Sequence, residues 1–177
     1  LRQAAQAIDY AHSRRVLHRD IKPANMLLQQ DWLFLADFGI AKLLATNAYR
    51  SRTHAGAGTP EYMAPEQVQG KAEAASDLYS LAVIAYQLFS GHLPFTGKDP
   101  FEVLLRQMQE TPPLPRQFNG QIPPAVERTL LKGLAKQPEQ RPVSCVAFVD
   151  ELEMGWKMGP AATHDPEATL LAPWSKR

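Results

Sequence analysis

Two short polar stretches near the N-terminal end constrain this chain more than any other feature. In chain order they are His18-Arg19-Asp20, Lys22, Asn25 and Asp37-Phe38-Gly39. Together they place two carboxylates, one ammonium group and one carboxamide on two loops that lie close together in the sequence. Such a set can hold metal-bound phosphates and orient a hydroxyl group toward them. That chemistry depends on placement and charge and needs no covalent intermediate.

The motifs that contain these residues carry a resemblance. The run HRDIKPANMLL, the DFG tripeptide and the later run GTPEYMAPE, from Gly58 to Glu66, follow one another in this order. Each is weak evidence by itself, but the three in this order and spacing are specific. From Leu1 to about Met154 the chain resembles a eukaryotic-type (Hanks-type) Ser/Thr protein kinase, and it is most like the bacterial members.

The resemblance covers only part of such a kinase. We find no Gly-rich loop, no strand lysine of the Val-Ala-Ile-Lys type and no helix glutamate to pair with it. We therefore expect residues 1–154 to be the C-terminal lobe of a kinase cut from a longer protein, without the β-rich N-terminal lobe. The expected fold is mainly α, a helical bundle with a short β-hairpin that carries the catalytic and metal-binding loops. Residues 155–177 are rich in Pro, Gly, Ala and Thr and are expected to be a linker or a frayed tail.

Bulk properties add a few limits. A length of 177 residues is enough for one domain with a sizeable core. The net charge of +1 gives no long-range field that favours nucleic acid or a lipid surface. The single Cys145 cannot form an internal disulfide and is expected to be a small core residue on a helix. We expect a cytoplasmic protein, or one on the cytoplasmic side of the membrane if the full-length protein is anchored.

Hydrophobic periodicity, together with the residues that cap or end helices, predicts the helices and strands. An amphipathic helix is expected from Leu1 to Ser13, and Arg15 stands where related kinases often carry Gly in a left-handed conformation. Strands are expected at 26–28 and 33–36. A helix at 76–90 is apolar nearly all round and should be buried, with Gly91 at its end. Asp99-Pro100 predicts a cap and a helix to about Glu110, and two more helices are expected at 125–135 and 143–154.

By the resemblance, four residues carry the chemistry. Asp20 is the expected catalytic base or hydroxyl orienter, and Lys22 stabilises the transferred phosphoryl group. Asn25 and Asp37 are the expected Mg²⁺ (or Mn²⁺) ligands beneath ATP, because hard cations prefer oxygen ligands. The alternative interpretations are an exposed loop aspartate, a turn asparagine and a strand-end cap.

Further residues follow from the resemblance. Thr59 is expected to hydrogen-bond near Asp20 and Lys22, its alternative being an ordinary loop threonine. Leu27 is expected to form the floor beneath the adenine ring, its alternative being strand core. Arg19 is expected to pair with a phosphate on the following loop, for which Ser51 and Thr53 are the candidate acceptors.

The remaining family positions are structural. His18 and Phe38 are expected to stack rather than to move protons, and Gly39 is expected to permit the backbone geometry at the start of the loop. Glu66 and Arg141 are expected to form a buried ion pair. Asp77 is expected to accept hydrogen bonds from the catalytic-loop backbone, its alternative being a helix cap.

The expected function is the large-lobe half of an ATP-dependent Ser/Thr protein kinase, with protein substrates and with the missing N-terminal lobe of the same protein as a partner. A dimer for trans-autophosphorylation is a further expectation, and nucleic acid is not an expected partner. The fragment alone is expected to be inactive. The alternative is a pseudokinase or protein-docking module, whereas a small-molecule phosphotransferase would not need Lys22-Pro23 or the run from Gly58 to Glu66.

Overall fold

The computed structural model describes residues 1–38 and 59–159. The positions Gly39, Ser51, Thr53 and Gly58 and most of the predicted tail therefore lie outside the described residues. The regular elements in chain order are α1 (Arg2–Ser13), β1 (Met26–Gln29), β2 (Trp32–Leu35), α2 (Pro65–Val68), α3 (Ala74–Ser90), α4 (Pro100–Gln109), α5 (Pro124–Gly133) and α6 (Cys145–Lys157). Short 3-10 turns lie at Pro23–Asn25, Pro60–Tyr62, Pro115–Gln117 and Pro138–Gln140.

Helix α3 is the centre of the core, as its apolar sequence predicts. Tyr79 and Tyr86 on this helix have no exposed surface. A capping box between Glu73 and Ser76 starts the helix, and Gly91 ends it in the left-handed conformation with φ 78°. On α1, Ala4, Ala5 and Ile8 pack into the same core, Ala11 is also buried, and Leu1, just before the helix, packs against the core while partly buried. The mainly helical class predicted from the sequence is therefore confirmed.

Helices α5 and α6 pack closely against α3. At Gly133 a Cβ atom would lie 2.7 Å from the Cβ of Ala82 and 2.8 Å from Cε2 of Phe148, so only glycine fits between these neighbours. Cys145 is buried in the core as predicted, and burial raises the pKa of its thiol. Helix α6 ends at Lys157 and not at the predicted Met154, because Gly155 does not stop it. A Cβ at Gly155 would lie 3.1 Å from Ala125, so the glycine lets α6 continue alongside α5 and into the predicted linker.

The two strands form an antiparallel hairpin, in which β1 extends one residue beyond the predicted 26–28 and β2 lies one residue earlier than the predicted 33–36. Met26 pairs with Leu35, and Gln29 pairs with Trp32. The connecting turn is short, and Gln30 adopts a φ of 54° there because tight hairpin turns require left-handed residues. Gln3 of α1 holds the turn by donating to Asp31 O at 2.7 Å and accepting from Leu33 N at 2.6 Å.

Helix α4 begins as its sequence predicts. The Asp99 side chain accepts a hydrogen bond from Glu102 N at 2.9 Å, and Pro100 occupies the first turn. Within residues 1–38 and 59–159, none of the helices combines the length and the hydropathy needed to cross a membrane.

Candidate active site

Asp77 on α3 holds the backbone of the loop that leads to Asp20. Its carboxylate accepts hydrogen bonds from His18 N at 2.8 Å and Arg19 N at 2.7 Å, and it lies 2.8 Å from His12 Nε2. Arg19 adopts a φ of 63°, a conformation that costs a non-glycine residue about 1–2 kcal/mol. The two hydrogen bonds to the buried Asp77 carboxylate hold the backbone in this strained conformation. The contacts expected for Asp77 are therefore present.

Asp20, Lys22 and Asn25 form one cluster. Lys22 Nζ lies 3.0 Å from Asp20 Oδ2. The amide nitrogen of Asn25 donates to Asp20 O at 2.8 Å and to Asp20 Oδ2 at 3.3 Å. Asn25 sits in the Pro23–Asn25 turn and is 5% exposed, whereas the side chains of Asp20 and Lys22 keep partial access to solvent. The cluster therefore combines a fixed carboxamide with an accessible carboxylate and ammonium group.

Asp37 is joined to this cluster through the neighbouring residue. Ala36 N donates to Asn25 O at 2.9 Å, which ties the end of β2 to the turn that contains Asn25. Asp37 itself is exposed and adopts a φ of 55°. Because the Asn25 amide nitrogen is engaged with Asp20, its oxygen is the atom left for a cation. A carboxylate oxygen of Asp37 and the amide oxygen of Asn25 are the kind of donors that suit Mg²⁺, which takes few protein ligands and completes its shell with phosphates and water.

His18 packs rather than titrates at ordinary pH. Its ring centroid lies 4.6 Å from that of Phe38, which is the expected ring contact, and Nε2 lies 3.0 Å from Ala36 O. Burial lowers the pKa of His18 below its ordinary value of 6.5, although the charge of Asp77 opposes this. A neutral ring in this position links the Asp20 loop to the end of β2.

Thr59 and Asp20 line one narrow cleft, about 10 Å³ in volume, together with Arg19, Ile21 and Met63. Gln67 Nε2 donates to Arg19 O at 2.7 Å, which joins the segment after Thr59 to the loop that contains Asp20. The cleft brings Thr59 and Asp20 to one place, and the hydrogen bond expected for Thr59 stays a prediction.

The segment that follows Thr59 is fixed by the buried Gln107 and the half-buried Gln87. Tyr62 OH donates to Gln87 Oε1 at 2.9 Å, and Gln107 Nε2 donates to Glu61 O at 2.6 Å. The sequence analysis did not identify Gln67, Gln87 or Gln107. For Gln107 a signal existed, because it lies four residues after Val103 on the buried stripe of α4.

Glu66 and Arg141 form the expected buried ion pair. Arg141 donates from Nη1 to Glu66 Oε1 at 2.7 Å and from Nη2 to Oε2 at 2.8 Å. Ser76 Oγ donates to Glu66 Oε1 at 2.6 Å, and Arg141 Nε donates to Ala135 O at 2.8 Å. Burial alone would raise the pKa of Glu66, but the bonds from Arg141 and Ser76 outweigh it and hold the pKa below its ordinary value.

Arg19 and Leu27 lie at the edges of the cluster. Within the described part of the chain, Arg19 Nε is buried without a hydrogen-bond partner, while its candidate phosphate acceptors Ser51 and Thr53 lie outside that part. Leu27 is 54% exposed on β1, beside Leu28 and Phe34, which are 77% and 53% exposed. The hairpin therefore presents an uncovered apolar surface next to the cluster.

Comparisons with known proteins agree with this arrangement. A family model described as "Protein kinase domain" matches residues 1–151. The serine/threonine-protein kinase Pkn1 of Myxococcus xanthus is 41% identical over 162 residues, which are 87% of this chain and 23% of that protein. The serine/threonine-protein kinase PknB of Mycolicibacterium smegmatis is 37% identical over 141 residues, 78% of this chain and 23% of that protein. The chain thus spans about a quarter of the length of these two relatives.

Solved structures give the same result. The crystal structure of the Mycobacterium tuberculosis PknI kinase domain matches with a TM-score of 0.65 and 31% identity, over 86% of this chain and 52% of that one. A structure of Rad53 in complex with AMP-PNP matches with a TM-score of 0.66 and 26% identity, over 85% of this chain and 37% of that one. The predicted large-lobe fold is thereby confirmed, and the chain belongs to the protein kinase family.

Proposed function

We propose that this chain is the large-lobe half of an ATP-dependent Ser/Thr protein kinase that transfers the γ-phosphoryl group of ATP to Ser or Thr hydroxyls of proteins. The observation that carries the proposal is the contact of Asp20 with both Lys22 and Asn25, together with the bond from Ala36 N to Asn25 O, which ties the residue before Asp37 to the same turn. The Ser/Thr kinase names of the relatives support the same class.

In this proposal each residue has a role that follows from its chemistry. Asp20 accepts the hydrogen bond of the substrate hydroxyl, orients it and takes its proton late in the transfer. Lys22 places a positive charge where negative charge develops on the transferred group. Thr59, which lines the same narrow cleft as Asp20, would shape the position of the acceptor residue.

Asn25 and Asp37 would hold Mg²⁺ or Mn²⁺. A bound divalent ion would neutralise charge on the β- and γ-phosphates. The chain's own contribution is to fix the Asn25 amide through its bonds to Asp20, so that its oxygen is presented in one orientation. Leu27 would support the adenine ring of ATP from the exposed hairpin.

The partners follow from the same site. Protein substrates would dock along the segment after Thr59, and the N-terminal lobe of the same protein would cover the hairpin. Regulation by phosphate at Ser51 or Thr53 paired with Arg19, a dimer for trans-autophosphorylation and a position in the cytoplasm or at the cytoplasmic face of a membrane belong to the proposal. By itself the 177-residue chain should not bind Mg-ATP at micromolar concentrations, because the nucleotide would be held between two lobes.

The test is phosphoryl transfer by the full-length protein that contains this chain. Labelled γ-phosphate should appear on Ser and Thr residues of a protein substrate, identified by mass spectrometry, and chelation of divalent ions should abolish the transfer. Absence of transfer under conditions in which Mg-ATP binds would contradict the catalytic role and support a protein-docking function instead. Calorimetry that detected micromolar Mg-ATP binding to the 177-residue chain alone would contradict the proposed division between the lobes.

A further inference from the structure

Gln107 is a buried polar residue in a place where an apolar one would be expected. It lies on α4 with no exposed surface, four residues after the buried Val103. An amide that is buried without hydrogen bonds costs about 1–3 kcal/mol in proteins, so a retained glutamine needs partners. Its nitrogen donates to Glu61 O at 2.6 Å and to Pro60 O at 3.4 Å, and its oxygen accepts from Tyr79 OH.

These contacts join three parts of the molecule at one side chain. Glu61 and Pro60 belong to the turn after Thr59, Tyr79 belongs to the central helix α3, and Gln107 itself belongs to α4. The backbone of Gln107 is held as well, because Lys136 Nζ donates to Gln107 O at 2.7 Å while lying 4.1 Å from the ring centroid of Phe95. The amide is therefore fixed from both ends and has little freedom to follow a displaced turn.

The turn that Gln107 holds is next to the cleft. Tyr62 N donates to Thr59 O at 3.2 Å and Met63 N donates to Pro60 O at 3.2 Å, so Thr59 and the turn form one hydrogen-bonded unit. Thr59 lines the cleft with Asp20. A shift of the Pro60 and Glu61 carbonyls would therefore move Thr59 relative to Asp20.

We propose that Gln107 is a positioning residue that fixes the Pro60–Tyr62 turn, along which a peptide substrate would dock. It thereby sets the distance between the acceptor side chain and Asp20. The proposal rests on the proposed kinase function for its kinetic consequence. Gln107 acts through the backbone of Pro60 and Glu61, so its removal should impair the use of peptide and leave the use of nucleotide intact. A misplacement of about 1 Å of a positioning contact can lower the rate about 100-fold.

The kinetic test uses the full-length protein and two matched variants on one helix. Gln107→Leu removes the amide, and Gln109→Leu makes the same change at an exposed position two residues further along α4. We expect Gln107→Leu to lower kcat/KM for a peptide substrate about 10- to 100-fold. The KM for ATP and the slow hydrolysis of ATP by water should stay within about twofold of the unmodified protein, and Gln109→Leu should change none of these values.

A second variant separates positioning from packing. Gln107→Glu keeps the volume and the acceptor for Tyr79 OH but replaces both N–H donors to Glu61 O and Pro60 O, so its peptide kinetics should fall at least as far as those of Gln107→Leu. Peptide kinetics of the unmodified protein in either Gln107 variant would overturn the proposal. A parallel loss of ATP binding and thermal stability would also overturn it, because that pattern indicates a merely structural role.

Hydrogen exchange makes the outcome independent of catalysis. In the full-length protein, Gln107→Leu should speed exchange of the Tyr62 and Met63 amides at least tenfold, whereas Gln109→Leu should not. If the protein transferred no phosphate at all, this readout would still decide the positioning role. Unchanged exchange at both amides would overturn the proposal, whatever the kinase assay shows.

Discussion

The helical interior and the face that carries the hairpin differ in how much apolar side-chain surface they expose. Around α3 the large side chains Tyr79, Tyr86 and Phe148 have no exposed surface, and the buried charge of Arg141 is paired. On the hairpin face, Leu28 is 77% exposed and Trp32 is 67% exposed. The interior buries its large side chains, whereas the hairpin exposes apolar side chains.

Backbone strain follows the same division. Among the described residues, the non-glycine positions with positive φ are Arg15, Arg19, Gln30 and Asp37, all between α1 and the end of the hairpin region. Strained residues persist where surrounding structure holds them, and they concentrate at functional sites. The packed interior stabilises the fold. The strained residues lie in the segment that carries the hairpin and the candidate site, where the surrounding structure must hold them.

Breaking the interior ion pair should have the largest effect on stability. Arg141→Leu leaves the Glu66 carboxylate buried without its partner, which should lower the free energy of unfolding by about 3–5 kcal/mol. Lys132→Met removes an exposed pair with Glu151, whose atoms lie 2.8 Å apart, and should cost less than about 1 kcal/mol. Urea denaturation of the chain measures both values. Equal losses of unfolding free energy in the two variants would show that the buried pair is no more important for stability than the exposed pair.

The same ion pair predicts a pH dependence. The pKa of Glu66 is lowered in the folded chain, so its stabilisation is fully present above its ordinary pKa of 4.5 and is lost as the pH falls through the lowered value. The difference in unfolding free energy between the unmodified chain and Glu66→Gln should be constant above about pH 4.5 and should shrink below it. Urea denaturation across this range measures it. A difference that grew on acidification would show that the sign is wrong.

Filling the narrow space at Gly133 should have a smaller effect. Gly133→Ala forces a methyl group against Ala82 and Phe148, and such overpacking costs about 1–3 kcal/mol. Gly120→Ala is the matched control, because among the described residues nothing lies within 4 Å of a Cβ built there. Thermal denaturation should separate the two variants. A Gly133→Ala chain as stable as the control would mean that α3, α5 and α6 are packed less tightly than described.

Relieving strain on the hairpin side should have the smallest effect and the opposite sign. Arg15 has a φ of 61° two residues after the end of α1, so Arg15→Gly should stabilise the chain by about 1 kcal/mol. Arg14 has a φ of −93°, and Arg14→Gly should not stabilise it. Thermal denaturation of the two glycine variants checks this. Destabilisation by Arg15→Gly would contradict the inference that the backbone at Arg15 is strained.

The sequence predicted the interior more directly than the site. Helix α3 followed from its apolar composition, and the start of α4 followed from Asp99-Pro100, because burial and capping are local rules. The end of α6 was missed because Gly155 is kept for close packing against α5, which depends on a distant neighbour. In the site, the residues came from resemblance to a family and not from periodicity.

The contacts that assemble the site could not be derived from local pattern. The bond from Ala36 to Asn25 depends on the hairpin register, and the sequence predicted strand bounds but no register. The contacts of Asp77 with His18 and of Gln107 with Glu61 join residues 59 and 46 positions apart. Only packing of α3 and α4 against the loops brings these groups together, and no local rule specifies that packing.

In the proposed function, Asp20 orients the acceptor hydroxyl while other residues hold the metal and nucleotide. The most direct test compares Asp20→Asn with Asp31→Asn, a change in the exposed hairpin turn, in the full-length protein. Asp20→Asn should lower the rate of γ-phosphoryl transfer to Ser or Thr about 100-fold or more, with the dissociation constant for Mg-ATP nearly unchanged, and Asp31→Asn should leave both values unchanged. Transfer by Asp20→Asn at the rate of the unmodified protein would contradict the proposed role of Asp20.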